Sequence, residues 1–311
     1  MAEQLDEPRS HIQASYKARE VEGLLDVCFY RPVGFQLAEF FRKFRVTPTT
    51  VTWLGGLFGI VAGHLYFYRH LAVNVLGMAL HVCANALDNA DGQLARLTHR
   101  DSREGRITDS VVDHLVFFSV YLHLALRYVV AGSSPAIFLL ALAAGISHAL
   151  QGAAADYYRS TYLYLATPRL ARTFDSSSAL KTAYRQSNWR REPWRTLLLA
   201  LYWNFTRQQE MLSPNLKSLR DIIGESVQGK IPQWIRGRYQ NLAGPTLKWW
   251  GLLMTNTRML VLFALLLLAE PIYYFWFELI PLNLLFVYLI VRQEHMAESM
   301  VEVVERWGTS A

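Results

Sequence analysis

The chain has very little cysteine: Cys28 and Cys83 are the only two in 311 residues. Their separation suits neither a thiolate metal site nor a disulfide framework, so both read as reduced, small apolar side chains. The first 20 residues lack the apolar core and small-residue cleavage site of a signal peptide. That predicts an N-terminus kept in the cytoplasm and a first span that directs insertion. No internal repeat or low-complexity tract is apparent. Charge is sparse as well: 18% of residues are charged and 52% are hydrophobic, and the hydrophobic ones gather in long segments. This favours one multi-spanning membrane unit over two soluble domains. The net charge of +6 fits a protein beside anionic headgroups. A nucleic-acid binder would also be basic but would not carry such spans, so no nucleic-acid partner is expected.

The expected architecture is all-α, a polytopic membrane helix bundle in four stretches. Residues 1–45 form a cytoplasmic tail and an amphipathic segment. Residues 1–18 show no apolar period and read as mobile, whereas Val21–Phe44 interleaves apolar and charged positions. It reads as a helix broken near Pro32 and lying in the interface plane, the plainer alternative being a helix packed on the bundle. Residues 46–155 hold four spans: Val51–Tyr68, Leu71 to about Leu87, about Asp109 to Val130, and about Pro135 to Ala155. Pro48 opens the first helix and the neighbouring threonines can cap it. Residues 156–258 form a basic insert, with Arg190, Arg191 and Arg195 among Trp189, Trp194 and Trp203. That mixture suits a headgroup layer. Acceptor binding, membrane docking and a dimer contact are all open for it, beside a plain membrane-hugging hairpin. Residues 259–311 hold two last spans, Met259 to about Ile280 with an interruption at Pro271, then Pro281–Val291, and a charged tail. Six spans put both termini on one side. The 92–108 loop carries Arg96, Arg100, Arg103 and Arg106, against only Arg69 on the opposite connections. The loop is therefore expected to face the cytoplasm.

The stretch from Asp88 to Asp113 organises the chain. Asp88 and Asp91 are three apart, Asp109 and Asp113 are four apart, and both pairs lie where apolar runs meet a polar loop. On a helix such spacings put side chains on one face. Two facing helices then present four carboxylates to one pocket, a donor set for Mg²⁺ or Mn²⁺, and two such ions can clamp a phosphoryl group. Gly92, Ala95 and Gly105 leave room on the same faces, and Arg96 supplies a fixed charge suited to phosphate.

These residues fill the pattern D-x2-D-G-x2-A-R-x8-G-x3-D-x3-D at Asp88, Asp91, Gly92, Ala95, Arg96, Gly105, Asp109 and Asp113. Chance gives that match at a given start on the order of once in 10¹⁰. The pattern resembles the signature of the CDP-alcohol phosphotransferases, over residues 46–155 well, the last two spans loosely and the insert not at all. The resemblance implies a membrane-embedded transferase of phospholipid biosynthesis using two Mg²⁺ or Mn²⁺ ions. It implies Asp88, Asp91 and Asp109 as metal ligands, and Asp113 as a ligand of the second ion or the base for the acceptor hydroxyl. Arg96 would contact the diphosphate, Gly92 and Ala95 would give the cytidine room, and Gly105 belongs to the same pattern. Ser102, Thr49 and Thr52 would touch the nucleotide. The family more often has Asp or Asn where Thr49 stands, and many members have Arg where His114 stands. A homodimer is usual.

Two directions of transfer remain open. In one, a phosphatidyl group passes from CDP-diacylglycerol to a small polar alcohol, releasing CMP. In the other, a soluble CDP-alcohol of the ethanolamine, choline or polyol type gives its phospho-headgroup to a lipid or polyol hydroxyl. A non-catalytic membrane scaffold or transporter is the reading of another class. Among weaker candidates, Asn85 is expected to orient Asp88. His114 can tune Asp113 or simply pack at the interface, and Arg159 is a candidate for a phosphorylated acceptor. His81 and His148 read as satisfied core histidines.

Overall fold

The computed structural model describes residues 21–166, 175–226 and 231–308, and the mobile tail expected at residues 1–18 lies outside them. Helix is the regular element throughout the described residues. They divide into two compact units. The first takes the described residues up to Ile146 with Arg258–Phe277, and the second takes Ser147–Thr257 with the described residues from Glu278 onward.

The first unit begins with a π turn, Asp26–Tyr30, running straight into α1 (Arg31–Lys43). The expected break at Pro32 does not occur: Tyr30 and Arg31 keep right-handed helical dihedrals, φ −67° and −68°. Proline sits in the first turn of α1, where the wider π turn before it loosens the backbone that a ring must pass. One side of α1 packs closely, since a Cβ on Gly34 would lie 2.9 Å from Gln93 Nε2 and 3.0 Å from Asn89 Cβ. The Gln93 amide donates to the Arg31 carbonyl at 3.1 Å, and Arg31 pairs with Glu22 at 2.8 Å. The other side leaves Phe40 and Phe44 exposed. The segment is therefore amphipathic and also packed on the bundle.

Next come α2 (Pro48–Leu65), α3 (Leu71–Leu97) and α4 (Arg103–Val129). Pro48 and Thr47 start α2 as expected, Thr47 Oγ1 accepting from the Thr50 N–H at 3.2 Å. A glycine edge lets α2 approach both neighbours. A Cβ on Gly55 would lie 3.2 Å from Leu87 Cβ of α3, and one on Gly59 would lie 2.6 Å from Val116 Cγ2 of α4. At Gly63 it would lie 2.7 Å from Ser119 Oγ, and at Gly56 it would collide with Val112. Without a hydrophobic drive between helices in lipid, such small-residue contact is what holds spans together. Where these helices meet the far turn, Arg127 Nη1 donates to the carbonyls of Tyr66 at 3.1 Å and Tyr68 at 3.0 Å, with Asn74 Oδ1 at 3.4 Å. The guanidinium so satisfies carbonyls that the end of α2 leaves open.

Five helical runs among the described residues are long and apolar enough to cross a membrane: α3, α4, α5 (Ile137–Ala166), Gln233–Leu267 and Tyr273–Arg306. The protein is an integral membrane protein of about the expected span number. Helix α2 is outside this set. Its 18 residues are about 27 Å long, and glycine and threonine replace apolar bulk along it. The last two runs differ from expectation in their limits. Helix continues through charged positions where hydropathy falls, and the break lies at Ala269, φ 60°, just before Pro271.

In the second unit, α6 (Ser177–Gln186), α7 (Pro193–Leu212), α8 (Pro214–Ser226), α9 (Gln233–Ala243) and α10 (Leu247–Leu252) accompany α5. The first-unit helices α11 (Thr255–Leu267) and α12 (Tyr273–Leu279) precede α13 (Pro281–Gly308). The insert is more than a surface, burying Leu180, Leu198, Leu216, Leu219, Ile223 and Tyr239. Glu294 of α13 accepts the N–H groups of Asn215 and Leu216 at 2.7 and 3.4 Å, capping α8. Buried Glu210 accepts from the Ser177 hydroxyl at 2.5 Å and its N–H at 3.0 Å, and pairs with Arg220 at 3.3 Å and Lys217 at 3.4 Å. Gln209 Nε2 ties α7 to α5 through the Ala153 carbonyl at 3.0 Å and Asp156 Oδ2 at 3.2 Å.

Candidate active site

The sequence pattern places two carboxylates in the last turns of α3 and two in the first turns of α4. A short connection turns the chain between them. It closes with Thr98 donating to the Leu94 carbonyl at 2.7 Å, His99 at φ 52°, and Ser102 accepting from the Gly105 N–H at 3.0 Å. Ser102 is thus the N-cap of α4, a structural task beside the nucleotide contact the resemblance implied. Gly105 sits under that cap, since a Cβ there would lie 3.0 Å from Ser102 Oγ.

One carboxylate oxygen each from Asp88, Asp91 and Asp109 lies within 4.8 Å of the others. Asp88 is exposed, Asp109 half-buried and Asp91 buried. At an effective dielectric of 20, two carboxylates that far apart repel by about 3 kcal/mol. A divalent ion among them reverses the sign of that interaction, and hard oxygen donors fit Mg²⁺ or Mn²⁺. Asp113 stands one turn along α4 from Asp109, exposed and outside the trio. The four expected aspartates are therefore arranged as three plus one.

Thr52 is buried, and its hydroxyl donates to Asp91 Oδ2 at 2.5 Å. It holds a carboxylate, where the resemblance pointed to a nucleotide contact. Thr49, in the first turn of α2, is exposed. A Cβ on Gly92 would meet only the Arg96 guanidinium, at 3.6 Å. The space over Gly92 thus opens beside a cation, and Ala95 and Arg96 are half-buried next to it.

One polar residue departs from its expected task. Asn85 gives its side-chain N–H to the Met259 thioether at 3.0 Å instead of orienting Asp88, because α11 packs against that turn of α3. His114 Nδ1 donates to the Ser110 carbonyl at 2.6 Å. His81 is buried and bonded to the Tyr66 hydroxyl at 3.2 Å, and His148 lies 3.7 Å from Glu278, so both are satisfied within the bundle. What the sequence reading missed is the glycine edge of α2. Its signal was the GGLFGIVAG run itself, glycines returning at three- and four-residue steps.

The fold and site define a membrane helix bundle that carries a carboxylate trio at the joint of two spans, with an arginine one turn on. Residues 45–180 match the family model described as CDP-alcohol phosphatidyltransferase. The match begins just before α2 and runs through the aspartates and the whole of α5 into α6. The family is one of transferases acting on CDP-alcohols. No curated protein matches the chain.

Proposed function

We propose that the protein is a Mg²⁺- or Mn²⁺-dependent phosphatidyltransferase of phospholipid synthesis. In this reading it moves a phosphatidyl group from CDP-diacylglycerol to the hydroxyl of a small polar alcohol and releases CMP. The observation that carries the reading is the convergence of Asp88, Asp91 and Asp109 within 4.8 Å, from two different helices, inside the family match. These three would hold the ions, with Asp113 completing the set on α4. Bound there, a divalent metal would supply charge to neutralise the diphosphate and the attacking and departing oxygens. Thr52 fixes Asp91, Arg96 draws the diphosphate toward the open space over Gly92, and Ala95 leaves room for the cytidine. Thr49, exposed at the start of α2, and Ser102 contact the nucleotide. The exposed Asp113 carboxylate takes the acceptor's hydroxyl proton as the O–P bond forms and the bond to CMP breaks. Its low intrinsic basicity makes positioning the larger part of its contribution.

The arginines of the 92–108 loop support a site at the cytoplasmic face of the inner membrane. There the protein acts as a homodimer. The test is CMP release by purified protein with Mn²⁺, comparing CDP-diacylglycerol with CDP-ethanolamine as donor. A panel of radiolabelled alcohols then identifies the acceptor. Release only from CDP-ethanolamine reverses the direction of transfer, and no release from either, with Mn²⁺ bound, leaves a scaffold.

A further inference from the structure

Helix α7 is not among the runs able to cross a membrane, yet its outer face is apolar at one end. Trp194, Leu197 and Leu201 are 51%, 38% and 43% exposed, at helical spacings of three and four. The opposite face is buried, through Thr196, Leu199 and Thr206, and Leu198 is buried at the strip's flank. The strip is therefore an unpartnered face of an anchored helix. Three exposed arginines, Arg190, Arg191 and Arg195, border its N-terminal end, where Glu192 pairs with Arg195 at 2.8 Å. Trp189, 50% exposed, continues the apolar surface among them.

Helix α5 sets the depth of one point on α7. Starting at Ile137 and rising 1.5 Å per residue, α5 crosses a hydrocarbon core of about 30 Å by roughly residue 156. Gln209 binds α7 to α5 at Ala153 and Asp156, the edge of that core. From that anchor the strip begins eight residues back along α7, about 12 Å away.

We infer that the outer face of α7 lies in the headgroup layer of an anionic leaflet, with Trp194, Leu197 and Leu201 inserted and the arginines paired with lipid phosphates. Apolar insertion gives the contact its depth, and the cations make it selective for anionic lipid. The inference is independent of the transfer chemistry, and its test reads no CMP.

The test uses the full-length protein in nanodiscs of phosphatidylcholine, with and without phosphatidylglycerol. A nitroxide is placed at Leu201→Cys, and for comparison at the exposed Arg185→Cys, after both native cysteines are replaced by alanine. Collision with oxygen should exceed collision with a water-soluble nickel chelate at residue 201 by at least about threefold in anionic discs. Residue 185 should show the reverse. Arg190→Glu with Arg191→Glu should return residue 201 to nickel exposure. Hydroxyl-radical labelling of Trp194 in the unaltered chain should fall by a similar factor in anionic discs, which covers the case in which a cysteine variant fails to fold. Nickel exposure at residue 201 equal to that at 185 overturns the inference. Shielding from both reagents means that a second copy covers the strip, and overturns it too. Equal insertion in both kinds of disc removes the anionic selectivity and overturns the inference as stated.

Discussion

Thr52 Oγ1 donates to Asp91 Oδ2 at 2.5 Å, across the contact of α2 with α3. A threonine so placed fixes the rotamer of the one buried carboxylate in the trio. Thr52→Val removes the donor and keeps the shape, whereas Thr52→Ser keeps the donor. A hydrogen bond to a charged group contributes about 1.5–3 kcal/mol. Mn²⁺ affinity, followed by electron paramagnetic resonance, should fall by roughly tenfold or more in the valine variant and stay near normal in the serine variant. Equal losses in both would mean that Thr52 acts only by packing.

Asp113 is exposed and stands one turn beyond the trio, so its loss should spare the fold. Asp113→Asn is expected to lower CMP release by at least about a hundredfold, the lower range for removing a positioned proton acceptor. Helical content and thermal unfolding should stay unchanged. Near-normal turnover would take the proton-accepting role away from it.

Arg96 flanks the open space over Gly92. Arg96→Ala should raise the KM for the CDP-ester by roughly tenfold, in line with the loss of one charged hydrogen bond, and leave the acceptor's KM nearly unchanged. Equal changes in both would place the guanidinium elsewhere in the reaction.

Gly59 is a packing prediction. A Cβ there would sit 2.6 Å from Val116 Cγ2 and 2.7 Å from Cγ1, atoms of a side chain with little rotamer freedom. Gly59→Ala should destabilise the first unit by about 1–3 kcal/mol. Val116→Ala should restore most of that loss, read as thermal unfolding in detergent.

Glu210 supplies a pH prediction outside the spans. Burial pushes its carboxyl up, but the Ser177 hydroxyl and N–H and the Lys217 and Arg220 charges outweigh burial and hold it below its ordinary value. A depressed carboxyl contributes stability that is full above the ordinary glutamate range, about 4.3, and lost as pH falls through the folded value. The wild type should therefore lose thermal stability below about pH 4.5 more steeply than Glu210→Gln. The variant should be the less stable of the two at pH 7. Parallel acid limbs would show that the Glu210 network carries no net stability.

The aspartate pattern and the all-helical membrane class were legible because both follow from local spacing. Three- and four-residue steps fix a helix face whatever packs on it. The partner of Thr52 was not legible, since it depends on how closely α2 approaches α3. That approach is set by glycines, which show no apolar period. Asn85 misled for a similar reason: Asp88 is one turn away in sequence, while Met259 comes from a distant helix. The limits of the last spans were hidden because helix continues through Arg292 and Glu294, where hydropathy drops. The insert looked like a surface because its basic residues stand out in a sequence. Its buried leucines stand out only once α6 to α9 are folded against their neighbours, α13 among them.

Arg127 grips the carbonyls of Tyr66 and Tyr68 at one end of α4, and Asp109 lies 18 residues, about 27 Å, toward the other. Asp109 and Asp113 therefore ride on a helix that is held at its far turn by a guanidinium and between by the glycine edge of α2, at Val112, Val116 and Ser119. A tilt of α4 by about one degree about its Arg127 end would shift Asp109 by roughly 0.5 Å, already comparable with the tolerance of a coordination sphere. An arginine remote from the chemistry thus shares with three glycines the task of holding that acidic end steady.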